Sequence, residues 1–344
     1  MDCGWVIGDK GDGEMTSKFA SSASYLSADT LPVKMLTHPD TKAAMLTDKL
    51  IPTHIQLVLT NKCNLLCPFC SYGAVDRKLE LSKSELRSVL CDFANLGSDA
   101  VTITGGGEPT LHPQFNAIIN EALDLYYKVG MITNGTNWNG IDLSGIDQMV
   151  WCRVSCSDYW DHEKYLDKLG KVVEKAPKTD WGMSYVVLNN GEFKPDNFAQ
   201  CIKFAYEYGF KYVRVVSDLT HPDKATHMDE VKLVLVRAGV DDSIVIYQGR
   251  KNTTPGFKQC WISLIKPYIG ADGEIYPCCG VQYAEDVVSF NTPKSMRMGN
   301  ISDIRSIWAK QVPFDGSKCV RCHYHQYNTV WGMLKQGIHH AEFI

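Results

Sequence analysis

Three cysteines fall within eight residues, Cys63-Asn64-Leu65-Leu66-Cys67-Pro68-Phe69-Cys70. Three thiolates at this spacing suit a cubane iron–sulfur cluster with one iron left open. A structural zinc ion asks for four tetrahedral ligands, and no fourth Cys or His lies close by; His54 sits at the wrong end of the strand before the loop. A second set lies far downstream. Cys260 and Cys278 are separated by seventeen residues, and Cys319 and Cys322 form a CxxC. Four thiolates can complete one [4Fe–4S] cluster, or a zinc ribbon. Cys279, adjacent to Cys278, is an alternative ligand.

The remaining thiols read as inert. Cys201 lies on an apolar stripe with Phe198, Ile202 and Ala205, where cysteine behaves as a small hydrophobe. Cys91, Cys152 and Cys156 fall within expected helix or strand, and Cys3 has no partner nearby. His323 and His325 read as surface histidines, with outer-sphere donors to the second thiol set as the alternative.

The elements that must position these residues follow from periodicity. Residues 1–50 are rich in Gly, Ser, Asp and Thr without a sustained period and read as an arm or lid. From residue 51 short β-branched runs alternate with helical spacing. The strands are expected at Ile55–Thr60, Val101–Thr104, Met131–Thr133, Val150–Ser155, Tyr185–Leu188 and Tyr212–Val216. The first helix opens with Ser82 and Glu85, spaced as a capping box, and carries Leu86, Val89, Leu90, Phe93 and Ala94 on one face. The second carries Phe115, Ile118, Ile119, Ala122, Leu123 and Tyr126. Six βα units imply parallel pairing through right-handed crossovers, in a doubly wound sheet or a partial (β/α)6 barrel. After about residue 240 the rhythm changes. Tyr268–Tyr276 reads as two short strands around an Asp-Gly turn, flanked by the second cysteine set. The expected organisation is an arm (1–50), an α/β barrel (51–250) and a small metal-stapled domain (251–344).

Candidate binding groups lie at the carboxyl ends of the strands, where parallel βα proteins gather their sites. The second strand leads into Gly105-Gly106-Gly107-Glu108, three glycines that let a ligand approach bare backbone and a carboxylate able to face an ammonium group. The third ends at Asn134, and the fourth at Ser155, with Ser157 on the same face. Asn134 and Ser157 also read as ordinary turn and loop residues. Arg214 and Asp218 could reach a ligand, or pair with structural partners.

Cys63, Cys67 and Cys70 match the CxxxCxxC motif of the radical S-adenosylmethionine (SAM) superfamily, with Phe69 before the third cysteine as is usual there. Gly105–Glu108 resembles that superfamily's GGE segment. Cys260 to Cys278 fits Cx12Gx4C through Gly273, similar to the opening of the SPASM motif. No cysteine follows Cys322, so what remains resembles the shorter twitch domain with one auxiliary cluster. The resemblance implies a partial barrel, a [4Fe–4S] cluster whose open iron chelates SAM, and contacts to SAM from Phe69, Gly105, Gly106, Gly107, Glu108, Asn134 and Ser155. It also implies a second [4Fe–4S] cluster and an external low-potential electron donor of the flavodoxin or ferredoxin type. The expected activity is reductive cleavage of SAM to a 5′-deoxyadenosyl radical that abstracts a substrate hydrogen. A net oxidation or bond formation on a peptide or sugar-type small molecule would follow. A redox-neutral epimerisation or rearrangement on a peptide, sugar or nucleotide is the alternative within this chemistry. A non-catalytic zinc or iron–sulfur module is the alternative outside it. The residues assign no general acid or base.

Composition bounds the classes. The 344 residues are 44% hydrophobic and 22% charged, enough apolar material for a sizeable core. The net charge of −4 lacks the basic excess of non-specific nucleic-acid binders. No run reaches the length of a membrane span and the opening residues show no signal-peptide pattern, so the cytoplasm is the expected compartment. Thirteen cysteines in a reducing compartment point to metal binding rather than disulfides.

Overall fold

In the computed structural model the described residues are 49–157, 162–188, 193–218, 227–249, 254–281 and 294–336, with isolated positions at 34, 37, 38, 44, 47 and 220. Most of the arm expected over 1–50 therefore lies outside them, as does Cys3.

Seven parallel strands follow one another in space as they do in sequence: β1 (His54–Val58), β2 (Ala100–Thr104), β3 (Lys128–Thr133), β4 (Trp151–Cys156), β5 (Asp180–Val187), β6 (Tyr212–Ser217) and β7 (Val245–Gln248). A doubly wound sheet reverses its order at a switch point. This one never reverses, so the strands wind in one direction as a partial barrel. β7 goes beyond the six strands expected. Its run Ile244-Val245-Ile246-Tyr247 is short and β-branched, and it pairs with β6 over four residues.

The helices pack on one face. The first, α1 (Lys83–Asn95), starts at Ser82 with the expected capping box: Ser82 N donates to Glu85 Oε2 (2.7 Å) and Glu85 N to Ser82 Oγ (3.3 Å). Such a cap is worth about 1 kcal/mol. Leu86, Val89, Leu90 and Phe93 are buried on it as the periodicity predicts. In α2 (Phe115–Asp124) the stripe holds through Ala122 but fails at Tyr126, which is 93% exposed. The helix ends at Asp124, and Tyr126 takes a left-handed φ of 61° that swings it outward. Tyr127 is buried in its place, its hydroxyl donating to the Leu90 carbonyl (2.7 Å). Four more helices follow: α3 (Leu143–Ile146), α4 (His162–Val173), α5 (Pro195–Glu207) and α6 (Met228–Arg237). On β4 the residues Cys152, Val154 and Cys156 face this helical layer and are fully buried, whereas Trp151, Arg153 and Ser155 alternate to the opposite, interior face.

The sheet continues past β1. After α7 (Ile262–Ile265), β8 (Tyr268–Ile269) pairs with β1 in parallel. It turns at Asp272-Gly273 (Gly273 φ +75°) into antiparallel β9 (Glu274–Tyr276), and β10 (Gly299–Asn300) adds to β9. The expected hairpin thus extends the barrel's own sheet. Next, α8 (Ile304–Lys310) docks on α1: Trp308 meets Phe93 edge-on at 5.0 Å, and Arg305 pairs with Asp92 (2.8 Å). The last helix, α9 (His325–Gln336), buries Trp331 in the same core. Among the described residues no helix is long and apolar enough to cross a membrane.

Candidate active site

The carboxyl end of β1 leads directly into the loop of the first cysteine set. Cys70 N donates to the Cys67 carbonyl (3.1 Å) and Gly73 N to the Cys70 carbonyl (3.1 Å), so two successive turns fold the loop back on itself. Phe69 is half-buried between the last two cysteines. The three thiols lie within electrostatic reach of one another. Burial and then the Cys70 and Cys63 thiols push the Cys67 thiol up to about 12. Burial does the same to Cys70 in direction, against a hydrogen bond from the Tyr72 backbone. Thiols that resist ionisation need a cationic partner to exist as thiolates, which an iron–sulfur cluster supplies.

The glycine loop after β2 packs against this loop's base. Gly107 N donates to the Thr60 carbonyl (3.1 Å) and Glu108 N to the Lys62 carbonyl (2.8 Å). A β-carbon at Gly106 would overlap Asn61 Oδ1, and one at Gly107 would overlap the Lys62 carbonyl. These glycines are therefore required by backbone packing as well as being open to a ligand. Glu108 departs from the sequence expectation. Its carboxylate is 2% exposed and faces inward: Oε1 accepts from Thr110 N (3.1 Å), Thr110 Oγ1 (2.7 Å) and Thr133 Oγ1 (2.6 Å), while Oε2 accepts from Asn134 N (2.6 Å). Burial pushes its pKa up against the pull of those bonds. Glu108 ties the ends of β2 and β3 together instead of presenting itself to the cleft.

Asn134 completes the link. Its Nδ2 lies 3.9 Å from Cys63 Sγ and 2.9 Å from Asn64 Oδ1, and its Oδ1 accepts from Thr136 N (2.9 Å). Ser155 is half-buried at the end of β4, its carbonyl accepting from Tyr165 Oη (2.8 Å), and Ser157 beyond it is fully buried. Asp218 is spent on a local turn, accepting from Thr220 N (2.8 Å) and Thr220 Oγ1 (2.6 Å).

The second cysteine set lies within one neighbourhood, Cys260 being acted on by Cys322 and Cys319, and Cys278 by Cys260 and Cys319. Cys260 N donates to the Phe314 carbonyl (2.9 Å), Gly256 N to the Cys319 carbonyl (2.7 Å) and Cys322 N to the Thr254 carbonyl (2.8 Å). These bonds draw the CxxC beside Cys260. Asn328 on α9 joins two of the thiols: its Nδ2 stands 3.7 Å from Cys260 Sγ and 3.8 Å from Cys322 Sγ, and its Oδ1 accepts from Ile262 N (3.2 Å). Its position in the sequence carried no signal, since Asn328 lies six residues past Cys322 in an unremarkable helix. Burial pushes Cys260 up to about 12, helped by Cys322, and Cys319 up to about 11. Cys278 is raised by burial and by Cys260. Cys279 has a different partner, Tyr324 Oη at 3.2 Å from its sulfur. His323 and His325 are half-buried, not surface residues, each with one ring nitrogen out of solvent. Packing against Gly280, beside Cys278, explains this for His323. Cys201 is buried as expected, its sulfur 3.1 Å from Cys156 Sγ.

The donor sets fit the groups that their spacing implies. Among the described residues no three His, Cys, Asp or Glu side chains close on a single point as a mononuclear site requires. A four-iron cluster bound through several irons does not ask for that convergence.

Comparison with known proteins bears on the superfamily and the fold. Residues 57–218 match the model of the Radical SAM superfamily. A S-adenosylmethionine-dependent nucleotide dehydratase of Selenomonas ruminantium is 35% identical over 83 residues, 24% of this chain and 30% of that protein. The sporulation killing factor maturation protein SkfB of Bacillus subtilis (strain 168) is 32% identical over 127 residues, 33% of this chain and 30% of that protein. The chain thus matches less than a third of the length of either relative. The crystal structure of Streptococcus suis SuiB bound to S-adenosylmethionine superposes with a TM-score of 0.55 at 13% identity, over 86% of this chain and 75% of that one. That likeness is one of fold.

Proposed function

We propose that this chain, which carries a radical SAM superfamily domain, is a radical SAM enzyme with two [4Fe–4S] clusters. Cys63, Cys67 and Cys70 hold the first, and Cys260, Cys278, Cys319 and Cys322 the second. When bound, the first cluster and SAM supply a 5′-deoxyadenosyl radical upon one-electron reduction by an external flavodoxin- or ferredoxin-type donor. The protein supplies placement. The backbone of Gly105, Gly106 and Gly107, with Phe69, Asn134 and Ser155, lines the SAM site. Glu108 serves it indirectly, by fixing Asn134 and the glycine loop against the Cys63 loop. The barrel excludes water and aims one substrate C–H bond.

What supports this reading is that Cys63 and Cys70 lie within electrostatic reach of Cys67 on a loop whose base the glycine backbone packs against. Cys278 is taken as the fourth ligand of the second cluster because Cys279 is engaged by Tyr324. The domains then run from an arm (1–50) through the barrel (51–250) to a twitch-like unit (251–344) that shares the barrel's sheet.

A net oxidation or bond formation on a peptide or small molecule, with the second cluster as electron acceptor, is the favoured reaction. The similarity to SkfB, named for maturation of a killing factor, supports a peptide. The similarity to a nucleotide dehydratase supports the second reading, a redox-neutral transformation of a nucleotide. Anaerobic purification with iron, sulfide and zinc analysis tests the cluster assignment. About eight irons per chain with matching sulfide are expected for two four-iron clusters. Zinc without sulfide would replace the enzyme with a binding module.

A further inference from the structure

The register of the hairpin sets a lysine beside one thiol of the second cysteine set. β8 and β9 pair antiparallel, Tyr268 with Tyr276 and Ile269 with Ile275. Pro267 immediately precedes Tyr268 and Pro277 immediately follows Tyr276. Neither proline has an N–H to give, so the ladder ends there. Continued past the prolines, the same register sets Lys266 opposite Cys278. Residues opposite one another in an antiparallel pair share a face, with β-carbons about 5 Å apart. The backbone on the other side of Lys266 is fixed too. Its N–H closes α7 on the Ile262 carbonyl (2.8 Å), and Ile262 N is held by Asn328, the residue that joins Cys260 and Cys322.

The side chains agree with that placement. Lys266 Nζ stands 5.4 Å from the centre of the Tyr324 ring, and Tyr324 Oη lies 3.2 Å from Cys279 Sγ. Burial lowers the ammonium group, the Cys279 and Cys278 thiols act in the opposite direction, and Arg153 and Lys34 add to the effect of burial. Among the described residues Lys266 makes no ion pair with a carboxylate. A desolvated ammonium is costly without a counter-charge, and here the groups that favour its charge are two thiols. A four-iron cluster held by four thiolates is a net anion, and each added electron makes it more negative. A cation fixed at one of its ligands therefore stabilises the reduced form more than the oxidised form, which raises the reduction potential. Asn328 offers Cys260 and Cys322 only a dipole, whereas Lys266 brings a full charge to Cys278.

We infer that the ammonium group of Lys266, set beside Cys278, raises the reduction potential of the second cluster and so fits it to accept the single electron of the favoured oxidation. This rests on the reading of Cys260, Cys278, Cys319 and Cys322 as ligands of a [4Fe–4S] cluster. In that step the substrate radical loses one electron to the cluster and one proton to solvent, and Lys266 keeps its own proton throughout.

The test is a potentiometric titration of the full-length, cluster-loaded protein with dithionite, followed by electron paramagnetic resonance. The Cys67→Ala chain, in which only the second cluster is expected, identifies the signal of that cluster. Lys266→Met removes the charge at nearly constant length and should shift the reduction equilibrium of the second cluster tenfold or more against the reduced form, about 59 mV lower for one electron. Lys266→Arg keeps the charge and should stay close to the wild-type potential. The first cluster should keep its potential in both variants. A lysine that served only to pack on Tyr324 would leave both potentials unchanged. Iron and sulfide analysis establishes that each variant is loaded. Loss of about four irons, one cluster's content, from the Met variant alone would support the same role through cluster retention. An unchanged potential in the Met variant, equal shifts in the Met and Arg variants, equal shifts of both clusters, or equal iron loss from both variants would overturn the inference. Zinc without sulfide in the wild-type chain would instead remove the cluster reading, and this inference with it.

Discussion

Asn328 stands with its amide nitrogen 3.7 Å from the sulfur of Cys260, a residue 68 positions earlier in the chain, and reaches Cys322 at 3.8 Å from the same atom. One buried amide thus joins the first and last cysteines of the second set. Asn328→Leu would remove that donor and leave Ile262 N without its acceptor, at about 1–3 kcal/mol of stability. The expected result is a lower denaturation midpoint and loss of about four irons per chain, the content of one cluster. Undiminished iron would show that the amide is dispensable.

Cys278 and Cys279 are neighbours with different partners, and their serine variants separate the roles. Cys278→Ser should lower iron to about four per chain, whereas Cys279→Ser should keep about eight. Equal losses in the two variants would mean that the Tyr324 contact does not decide the ligand.

The buried thiols give the metal-free protein a pH dependence of known sign. Cys67 and Cys260 titrate near 12 and Cys319 near 11, against an ordinary value of 9.0. Between about 9 and 11 the unfolded chain has released protons that the folded one retains. Stability is then fully present below pH 9 and falls as pH rises through that window. Denaturation midpoints of the metal-free, reduced protein from pH 7.5 to 10.5 should decline at the upper end. Cluster-loaded protein, its thiols already ionised, should not show that decline from this cause. A flat profile for the metal-free protein would contradict the burial of these thiols.

Gly107 has no room for a side chain, because a β-carbon would overlap the Lys62 carbonyl. Gly107→Ala should shift the glycine loop away from the Cys63 loop and cost about 1–3 kcal/mol, as overpacking does. Weaker SAM binding by equilibrium dialysis of the loaded protein is the expected functional result. Wild-type affinity in that variant would place SAM away from the loop.

Much of this was legible in sequence. The capping box at Ser82 and Glu85, the stripe of α1 and the alternation of β4 all depend on local spacing, which sequence records directly. Three features were not. Tyr126 keeps the helical period but falls after α2 has ended, so periodicity placed it inside. Glu108 reads as a free carboxylate until the ends of β2 and β3 are brought together, when Thr110, Thr133 and Asn134 consume it. Asn328 acquires its role only when α9 folds back on Cys260. In each case the deciding partner is set by the termination of a helix or by tertiary packing, which carries no local signature.

The most direct test of the central claim is the formation of 5′-deoxyadenosine from SAM by the anaerobically loaded protein with dithionite as reductant, compared with its Cys67→Ala variant. The wild-type chain should release 5′-deoxyadenosine and the variant none, while the variant keeps the iron of its second cluster. Release by the variant at the wild-type rate, or none from the fully loaded wild-type protein, would contradict the assignment of a SAM-binding cluster to Cys63, Cys67 and Cys70.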